Sequence, residues 1–569
     1  MGERQIPAIG VQDFEKVRKG NIFYIDKTAF IREWWESGDD VTLITRPRRF
    51  GKTLNMSTLE CFFSVKYAGR EDLFEGLSIW KEEKYRKLQG KFPVIALSFA
   101  NVKGSDFNVV REMIFRMLSE LYIRYSFLQD SGKLNEAERV AFYEIASANG
   151  RLNASQAVTA IQRLSCYLEK YYGVKPLIFL DEYDTPMQEA YVYGYWDEMT
   201  DLIQNMFNST FKTNPSMGRA IMTGITRVSK ESVFSDLNNL KIVTTTSEQY
   251  MTSFGFTEKE VFAVLDDYGL GSEKELVKRW YDGFIFGTTR DIYNPWSILN
   301  FVAEKKLKAY WANTSSNSLV GKLIQEGAPE IKKDMETLLK GGTITAHIDE
   351  QIVFHQLQGN KEAVWSLFVA SGYLKVEQYV LNPEEGDCDY TLSLTNFEVR
   401  TMFRRMIEGW FKDAGIGYND FIRALLAGDV EEMNAYMNKI ALESFSSFDT
   451  GVRSSEYAEP ERFYHGFVLG LIVELRDRYD ITSNRESGFG RYDVMMEPLP
   501  AYQNELAPII IEFKVYNGKK EKGLDDTLQA ALTQIQEKNY DAGLVAKGFS
   551  KEGIRHYGFA FQGKTVLIG

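Results

Sequence analysis

The chain has 569 residues, too many for one hydrophobic core, so we expect about three or four domains. Hydrophobic residues make up 44% and charged residues 26%, which excludes a largely disordered protein. The net charge of −12 gives no support for nucleic-acid binding, which relies on lysine and arginine at phosphate contacts. A local basic groove is still compatible with that total, because attraction depends on where the charges lie.

The first ten residues lack an apolar segment behind a basic one, so no secretory signal is predicted. No stretch approaches the roughly 18 uncharged apolar residues that a membrane span needs. The three cysteines, Cys61, Cys166 and Cys388, are far apart and form no CxxC pair, which argues against a zinc site or a disulfide framework. We therefore expect a cytoplasmic protein without a membrane partner.

The first region, 1–250, alternates apolar runs with helical patterns, which predicts a parallel α/β sheet of the P-loop NTPase (AAA-like) type. The predicted strands are 41–45, 92–99, 177–180 and 219–224.

A basic segment between the first strand and the next helix, 45–53, reads TRPRRFGKT. In its last three residues, backbone N–H groups at a helix start would hold phosphate, Lys52 would reach the β/γ oxygens and Thr53 would ligate Mg²⁺. A Walker A motif has glycine where this chain has Arg46, which leaves open whether bound ATP is hydrolysed or only held. The alternative is a basic turn before a helix.

Two later strand ends favour the nucleotide site. Residues 177–182, LIFLDE, have the Walker B pattern, in which Asp181 binds Mg²⁺ and Glu182 orients the attacking water. Residues 221–227, IMTGITR, end another strand at the sensor position, with Arg227 as a cation. Each feature alone is better explained as a strand ending in solvated polar residues, but the three in this order predict an ATP site. Its predicted contacts are Arg46, Arg48, Arg49, Phe50, Gly51, Lys52, Thr53, Asp181 and Arg227.

The middle of the chain reads as a helical, lid-like region, 251–345, followed by a winged-helix-like and helical region, 346–443. The second of these is predicted from a helix and a hairpin, and a polar linker follows it. The elements expected there are a helix at 362–371, strands at 373–379 and 390–394 around a turn at 382–386, a helical stretch at 398–442 and the linker at 444–460.

The last region, 455–569, reads as an αβββαβ domain. Its predicted elements are a helix at 463–475, strands at 481–485, 491–497 and 508–515 with a glycine turn at 487–490, a helix at 524–538 and a strand at 542–546.

Charged residues interrupt the apolar strand 508–515 and predict a metal site. Alternation places Glu512 and Lys514 on one face, and Asp493 on the neighbouring strand can share a metal with Glu512. These carboxylates and the Phe513 carbonyl suit Mg²⁺ or Mn²⁺, Lys514 would position the nucleophilic water, and Gln534 on the next helix adds a polar contact. The alternative is a surface pair of Glu512 and Lys514, although charges after an apolar run need a reason.

The histidines are less informative. Glu461 and His465 share a helix face, so either an added ligand or a packing role is open. His347, His355 and His556 show no ligand spacing, and core or surface roles are expected.

At this point the residues resemble a known bacterial family that joins an AAA-ATPase-like domain to a C-terminal PD-(D/E)XK nuclease domain. The similarity rests on the segment 45–53 and on 22–28 (IFYIDKT), 281–284 (YDGF), 293–297 (YNPWS) and 483–493. The resemblance implies an AAA-like NTPase fused to a restriction-endonuclease-like fold. The family shares Arg46 in place of the first Walker glycine, whereas the nuclease motif reads Tyr492-Asp493 instead of Pro-Asp.

The leading hypothesis is an ATP-binding protein with a metal-dependent nuclease domain that acts on DNA or RNA and is gated by nucleotide. Its cofactors would be ATP and Mg²⁺ or Mn²⁺, and nucleic acid its partner. Two alternatives are a non-catalytic, nucleotide-dependent regulator or nucleic-acid-binding switch, and a plain ATPase with Glu182 as its catalytic residue. The strand type of the substrate, an oligomeric state and a protein partner are left open.

Overall fold

A computed structural model of the chain describes a defined set of residues: 5–226, 234, 237–311, 318–325, 329–349, 357, 360–382, 387–413, 418–444, 468, 471–487, 490–518, 520–563 and 565–569. These residues form two compact units, unit 1 (Met1–Leu319 and Thr345–Arg400) and unit 2 (Val320–Ile344 and Thr401–Gly569). The finer division into four domains remains a prediction. Among the described residues, every helix is too short or too polar to cross a membrane.

The centre of unit 1 is a five-stranded parallel sheet in the order β2-β3-β4-β1-β5. Its strands are β1 (Val41–Thr45), β2 (Val94–Ser98), β3 (Leu177–Asp181), β4 (Arg219–Gly224) and β5 (Leu240–Val243). The first four confirm the predicted strands, whereas β5 was missed. Because all five run parallel, the loops that leave β1, β3 and β4 meet at one edge of the sheet.

The helices up to residue 304 come before, between and after these strands in the chain. The longest, Ala154–Tyr172, begins with a capping box between Asn153 and Gln156 and ends at Gly173, which has a φ of 70°. In chain order they are α1 (Phe14–Lys19), α2 (Ala29–Ser37), α3 (Lys52–Phe63), α4 (Glu83–Arg86), α5 (Phe107–Arg124), α6 (Glu136–Ser147), α7 (Ala154–Tyr172), α8 (Thr185–Tyr193), α9 (Trp196–Phe207), α10 (Glu258–Asp267), α11 (Lys274–Tyr281) and α12 (Pro295–Glu304).

The middle of the chain contains two small three-stranded sheets as well as helices. One has the order β6-β8-β7 and the other β10-β11-β9. The helix α15 followed by the β10–β11 hairpin confirms the predicted helix and hairpin; their assignment as a winged helix remains a prediction, and residues 383–386 of the turn lie outside the described residues. The elements are β6 (Phe256–Thr257), β7 (Phe284–Phe286), β8 (Thr289–Tyr293), α13 (Ser318–Gln325), α14 (Pro329–Leu339), β9 (Ile344–His347), α15 (Lys361–Ala370), β10 (Leu374–Asn382), β11 (Asp387–Leu394) and α16 (Phe397–Asp413).

Gly283, between α11 and β7, admits no side chain. Its φ is +128°, and a Cβ added there would lie 2.0 Å from the backbone oxygen of Thr395. We expect Gly283→Ala to lower the Tm of unit 1 by at least about 5 °C in calorimetry, as steric overlap adds to backbone strain. Gly38→Ala is the control, because Gly38 also has a positive φ, 73°, but open space around it. Equal losses in the two variants would refute the role of the Thr395 contact.

Unit 2 is built on a mixed sheet in the order β12-β13-β14-β15-β16, in which only the β14–β15 pair is parallel. A short helix precedes β15 where a strand was predicted: 542–546 is α20, so that prediction is wrong. A five-residue apolar run fits either state, and here Leu544 is buried while Val545 is 44% exposed. The elements are α17 (Tyr418–Ala427), α18 (Val430–Ser444), β12 (Tyr479–Ser487), β13 (Gly490–Pro498), β14 (Ile509–Val515), α19 (Leu524–Glu537), α20 (Ala542–Ala546), β15 (Arg555–Gln562) and β16 (Thr565–Ile568).

Asparagines of α18 cover the edge strand β16. Asn434 donates to the Ile568 oxygen (2.7 Å) and accepts from its N–H (2.8 Å). Asn438 does the same with Val566, at 2.6 and 2.9 Å. Two amide side chains thus replace a missing strand and close an edge that would otherwise pair with another chain.

Candidate functional site

The loop between β1 and α3 turns sharply at two residues. Arg49 has a φ of 66° and Gly51 a φ of 84°, so both adopt the left-handed region that a non-glycine residue rarely occupies. Gly51 is the N-cap of α3, whose first turn follows at Lys52. The leading N–H groups of an α-helix have no partner within it, so this loop ends at a place suited to an anion.

Lys52 is only 4% exposed and lies under this loop. Its Nζ donates to the backbone oxygens of Arg46 and Pro47, at 2.9 Å each. Burial lowers the pKa of Lys52, and the nearby carboxylates of Glu182 and Asp181 oppose that shift. The Lys52 ammonium thus joins the start of α3 to the backbone at the beginning of the loop.

Asp181, at the end of β3, is a buried carboxylate held from two sides. The Thr53 hydroxyl donates to its Oδ2 (2.7 Å), and the Thr223 hydroxyl, from the intervening strand β4, donates to its Oδ1. The structure therefore brings together Thr53 and Asp181, which are 128 positions apart. A hydroxyl and a carboxylate are hard oxygen ligands of the kind that Mg²⁺ prefers.

Glu182 lines the cleft beside the loop and has a φ of 51°. A non-glycine residue in this conformation costs about 1–3 kcal/mol, and such costs concentrate at functional sites. The neighbouring Asp184 is buried, and its Oδ2 accepts from the N–H groups of Ile225 (3.0 Å) and Thr226 (2.8 Å). Asp184 ties the end of β3 to the end of β4, and sequence reasoning missed it because only its nearness to two other acids marks it. Arg227 lies outside the described residues.

Arg46 does not face the cleft. Its guanidinium is fully buried and donates to the backbone oxygens of Thr45 (2.8 Å), Thr244 (2.6 Å) and Gln249 (3.2 Å). It also lies 4.8 Å from the ring centroid of Phe286, and burial lowers its pKa. Arg46 supports the loop from inside the fold, so the geometry gives no support to its predicted nucleotide contact. An arginine in place of glycine here is a structural anchor.

The cleft beside the loop has a volume of about 580 Å³, and its walls include Arg48, Arg49 and Trp296. The Arg49 guanidinium lies 4.3 Å from the Trp296 ring centroid, and Arg48 donates to Gln188 Oε1 (3.2 Å). Volumes of about 300–1,000 Å³ are usual for small-molecule sites. The cleft also includes residues that were not predicted, among them Phe23, Ile25, Asn101, Phe256, Trp296 and Leu299.

In unit 2, the predicted alternation along β14 is confirmed. Ile511 and Phe513 join the core on one face of the sheet, and Ile510 packs with Ile535 on the other. Glu512 is only 1% exposed and lies on the Ile510 face by alternation. The Oδ2 of Asp493 accepts a hydrogen bond from the N–H of Phe513 (2.8 Å), which places that carboxylate against the peptide group joining Glu512 to Phe513.

Two polar side chains contact Glu512. Gln534, from α19, donates to its Oε1, and the Lys514 Nζ lies 3.8 Å from the same oxygen. Gln534 also donates to the hydroxyl of Tyr540 (3.2 Å), a buried residue that sequence reasoning missed. Burial raises the pKa of Tyr540, so this hydroxyl stays protonated at neutral pH. The structure thus gathers Asp493, Glu512, Lys514 and Gln534 at one place.

The histidines are placed as follows. His347 Nε2 lies 3.5 Å from Asp389 Oδ1, and His556 Nε2 lies 2.6 Å from Asp541 Oδ1. Glu461, His465 and His355 lie outside the described residues.

A parallel sheet with a sharp turn before a helix, and a mixed sheet with Asp493 and Glu512 on adjacent strands, are features of an ATPase-like domain joined to a nuclease-like domain. Residues 8–234 match the family model of a predicted AAA-ATPase, and residues 459–569 match that of the PD-(D/E)XK nuclease superfamily. The chain therefore contains an AAA-ATPase-like domain and a C-terminal PD-(D/E)XK nuclease superfamily domain, which confirms the resemblance inferred from the sequence.

A curated relative matches part of the chain. Over 330 residues the chain is 28% identical to a protein of Azotobacter chroococcum mcd 1 described as an uncharacterized protein in the vnfD 5' region. The match spans 57% of this chain and 57% of the relative's length.

Proposed function

We propose that the chain is an ATP-binding protein whose C-terminal domain is a metal-dependent nuclease, hydrolysing phosphodiester bonds in DNA or RNA under the control of bound nucleotide. The observation that carries this proposal is the meeting of Asp493, Glu512, Lys514 and Gln534, which come from two strands and a helix. A buried carboxylate is costly unless its surroundings compensate it, and here those surroundings are the groups that phosphodiester hydrolysis needs.

The donor set fits a hard divalent cation. Asp493, Glu512 and the backbone oxygen of Phe513 would hold Mg²⁺ or Mn²⁺. When bound, such an ion supplies a hydroxide at neutral pH and stabilises charge on the phosphate. Gln534 fixes the orientation of Glu512, while the half-buried Lys514 places a positive charge where the scissile phosphate and its attacking water would lie.

In unit 1, the proposed ATP contacts are Lys52 on the phosphates, Thr53 and Asp181 on Mg²⁺, and Arg48 and Arg49 on the cleft wall. ATP turnover is a second candidate activity, favoured by Glu182, whose strained backbone presents it to the cleft. In this role the Glu182 carboxylate would orient the attacking water, and phosphate release would be lost in Glu182→Gln.

A local positive charge reconciles the nuclease proposal with the acidic total. The loop that leaves β14 carries Lys520 and Lys522, both exposed. Glu521, between them, is used inside the loop: its carboxylate accepts from Asn517 N–H (2.7 Å) and from the Thr527 hydroxyl (2.8 Å). Neutral donors thus hold the Glu521 carboxylate against its own loop, and the two exposed lysines that follow the Lys514 strand are placed to contact a phosphate backbone.

We expect the double variant Lys520→Glu with Lys522→Glu to bind a duplex oligonucleotide at least about tenfold more weakly. The slope of log affinity against log salt concentration should fall by the amount that about two phosphate contacts contribute. Fluorescence anisotropy over a salt series, with Ca²⁺ present, measures both. The control is Lys538→Glu with Lys551→Glu, which makes the same charge change at the end of the sheet where β14 begins. If both double variants lose affinity equally, overall charge rather than this loop determines binding.

The experiment that tests the function is direct. The full chain is incubated with supercoiled plasmid DNA and with single-stranded DNA and RNA, in Mg²⁺ or Mn²⁺, with and without ATP. Cleavage that EDTA abolishes and ATP changes supports the gated nuclease. Binding of ATP and nucleic acid without cleavage would instead identify a nucleotide-dependent switch, and ATP turnover without any action on nucleic acid would identify a plain ATPase.

A further inference from the structure

The backbone oxygen of Arg48, inside the nucleotide loop, accepts two side-chain hydrogen bonds from distant parts of the chain. Asn294 Nδ2 donates to it at 3.2 Å and Trp311 Nε1 at 3.0 Å. Asn294 is also the N-cap of α12, where its Oδ1 accepts from the N–H groups of Trp296 and Ser297. The loop is therefore attached to α12 and to the segment that follows it.

A buried carboxylate joins these two attachments. Glu398, in the first turn of α16, is 0% exposed. Its Oε1 accepts from the backbone N–H of Trp311 (2.6 Å), and its Oε2 accepts from the hydroxyl of Ser297 (2.8 Å). The bonds form a closed ring that runs from Arg48 through Trp311, Glu398 and α12 back to Arg48, all within unit 1.

This ring controls the orientation of one peptide group in the loop. In a planar trans peptide the C=O and the following N–H point in opposite directions, so fixing the Arg48 oxygen also fixes the N–H of Arg49. Arg49 has a φ of 66°, and a strained conformation of this kind persists only where surrounding contacts determine it. The two bonds on the Arg48 oxygen are such contacts.

We propose that Glu398 and Trp311 are positioning residues for nucleotide binding: they hold the Arg48–Arg49 peptide in the orientation that a bound triphosphate requires. This inference rests on the proposed ATP site. Neither residue lines the cleft, so both act through the loop. Burying the Glu398 carboxylate adds little to stability by itself, because the free-energy cost of desolvation offsets the gain from its hydrogen bonds. Its value lies in fixing one arrangement of the loop.

The test uses Trp311→Phe in the full chain, which removes the indole N–H but keeps an aromatic ring. We expect MgATP to bind about tenfold more weakly in titration calorimetry, as one hydrogen bond to the loop is lost. The Tm of the protein without nucleotide should change little, whereas the rise in Tm that saturating MgATP causes should shrink. Glu398→Gln, which keeps one accepting oxygen, should bind MgATP more tightly than Glu398→Ala.

Trp280→Phe is the matched control. The Trp280 ring packs on Phe397, the neighbour of Glu398 in α16, with ring centroids 4.8 Å apart. Its MgATP affinity should stay within about twofold of the wild type, well below the effect of a lost hydrogen bond. If Trp311→Phe binds MgATP as tightly as the wild type, the positioning role is wrong and the ATP site survives. If the wild type itself binds no MgATP, both the site and the role are wrong.

Discussion

Glu512→Gln should abolish cleavage of plasmid DNA, reducing its rate at least about 100-fold, while the chain remains folded. Glutamine has nearly the same volume and can still accept the hydrogen bond from Gln534, so packing around this buried position is preserved. It lacks the negative charge with which a carboxylate holds a divalent cation beside Asp493. The rate is measured by plasmid relaxation in Mg²⁺, with circular dichroism to check folding.

The control for this substitution is Glu505→Gln, the same chemical change on an exposed residue in the loop before β14. It should cleave at the wild-type rate. Cleavage that persists undiminished in Glu512→Gln would mean that another site, or a contaminating nuclease, is responsible. If Glu512→Gln loses cleavage activity and excess Mn²⁺ partly restores it, the defect lies in metal binding.

The second large effect is expected at the nucleotide loop, where Lys52→Ala should weaken MgATP binding at least about 100-fold. The substitution removes the only lysine among the predicted phosphate contacts, and hydrogen bonds between charged groups are worth about 1.5–3 kcal/mol each. It also removes the donor that the Arg46 and Pro47 oxygens share. Titration calorimetry with MgATP measures the affinity.

Lys91→Ala, at an exposed position before β2, serves as the comparison and should bind MgATP normally. Because Lys52 is buried, a Tm measurement without nucleotide must accompany the titration. If Lys52→Ala lowers the Tm so far that its affinity cannot be measured, Lys52→Met replaces it, because methionine keeps the apolar stem of the lysine. Lys52→Met should show the same loss of MgATP binding. Retained MgATP affinity in a folded Lys52 variant would refute the proposed phosphate contact.

Much of both sites could be predicted because their signals are local. Strands β1, β3 and β4 are short apolar runs, and the polar residues that end them lie at the same sheet edge in a parallel arrangement. The triplet Glu512-Phe513-Lys514 interrupts an apolar strand, and alternation alone places its charges on one face. Such patterns involve only neighbouring residues, so they can be recognised without knowing the rest of the fold.

Other features depend on contacts between distant residues and leave no local pattern. Arg46 reads as one more basic residue of the loop, yet it is buried and donates to the carbonyls of Thr244 and Gln249, which lie 198 and 203 positions away along the chain. Glu398 and Trp311 belong to the nucleotide loop only through bonds that span more than 80 positions. Tyr540 joins the proposed metal site through its hydrogen bond with Gln534. The helix α20 was mistaken for a strand because a run of five apolar residues fits the helical and the strand periodicity equally well.

Under the proposed role of Glu182 in ATP turnover, the left-handed backbone of this residue sets stability against activity in evolution. Glycine would relieve the conformational cost at this position, on the order of 1 kcal/mol, and would remove the carboxylate at the same time. Selection for a more stable protein therefore favours glycine at 182, whereas selection for ATP turnover favours glutamate. Lineages that keep only the binding function are free to drift towards glycine, so the residue found at this position would record which of the two activities each lineage has retained.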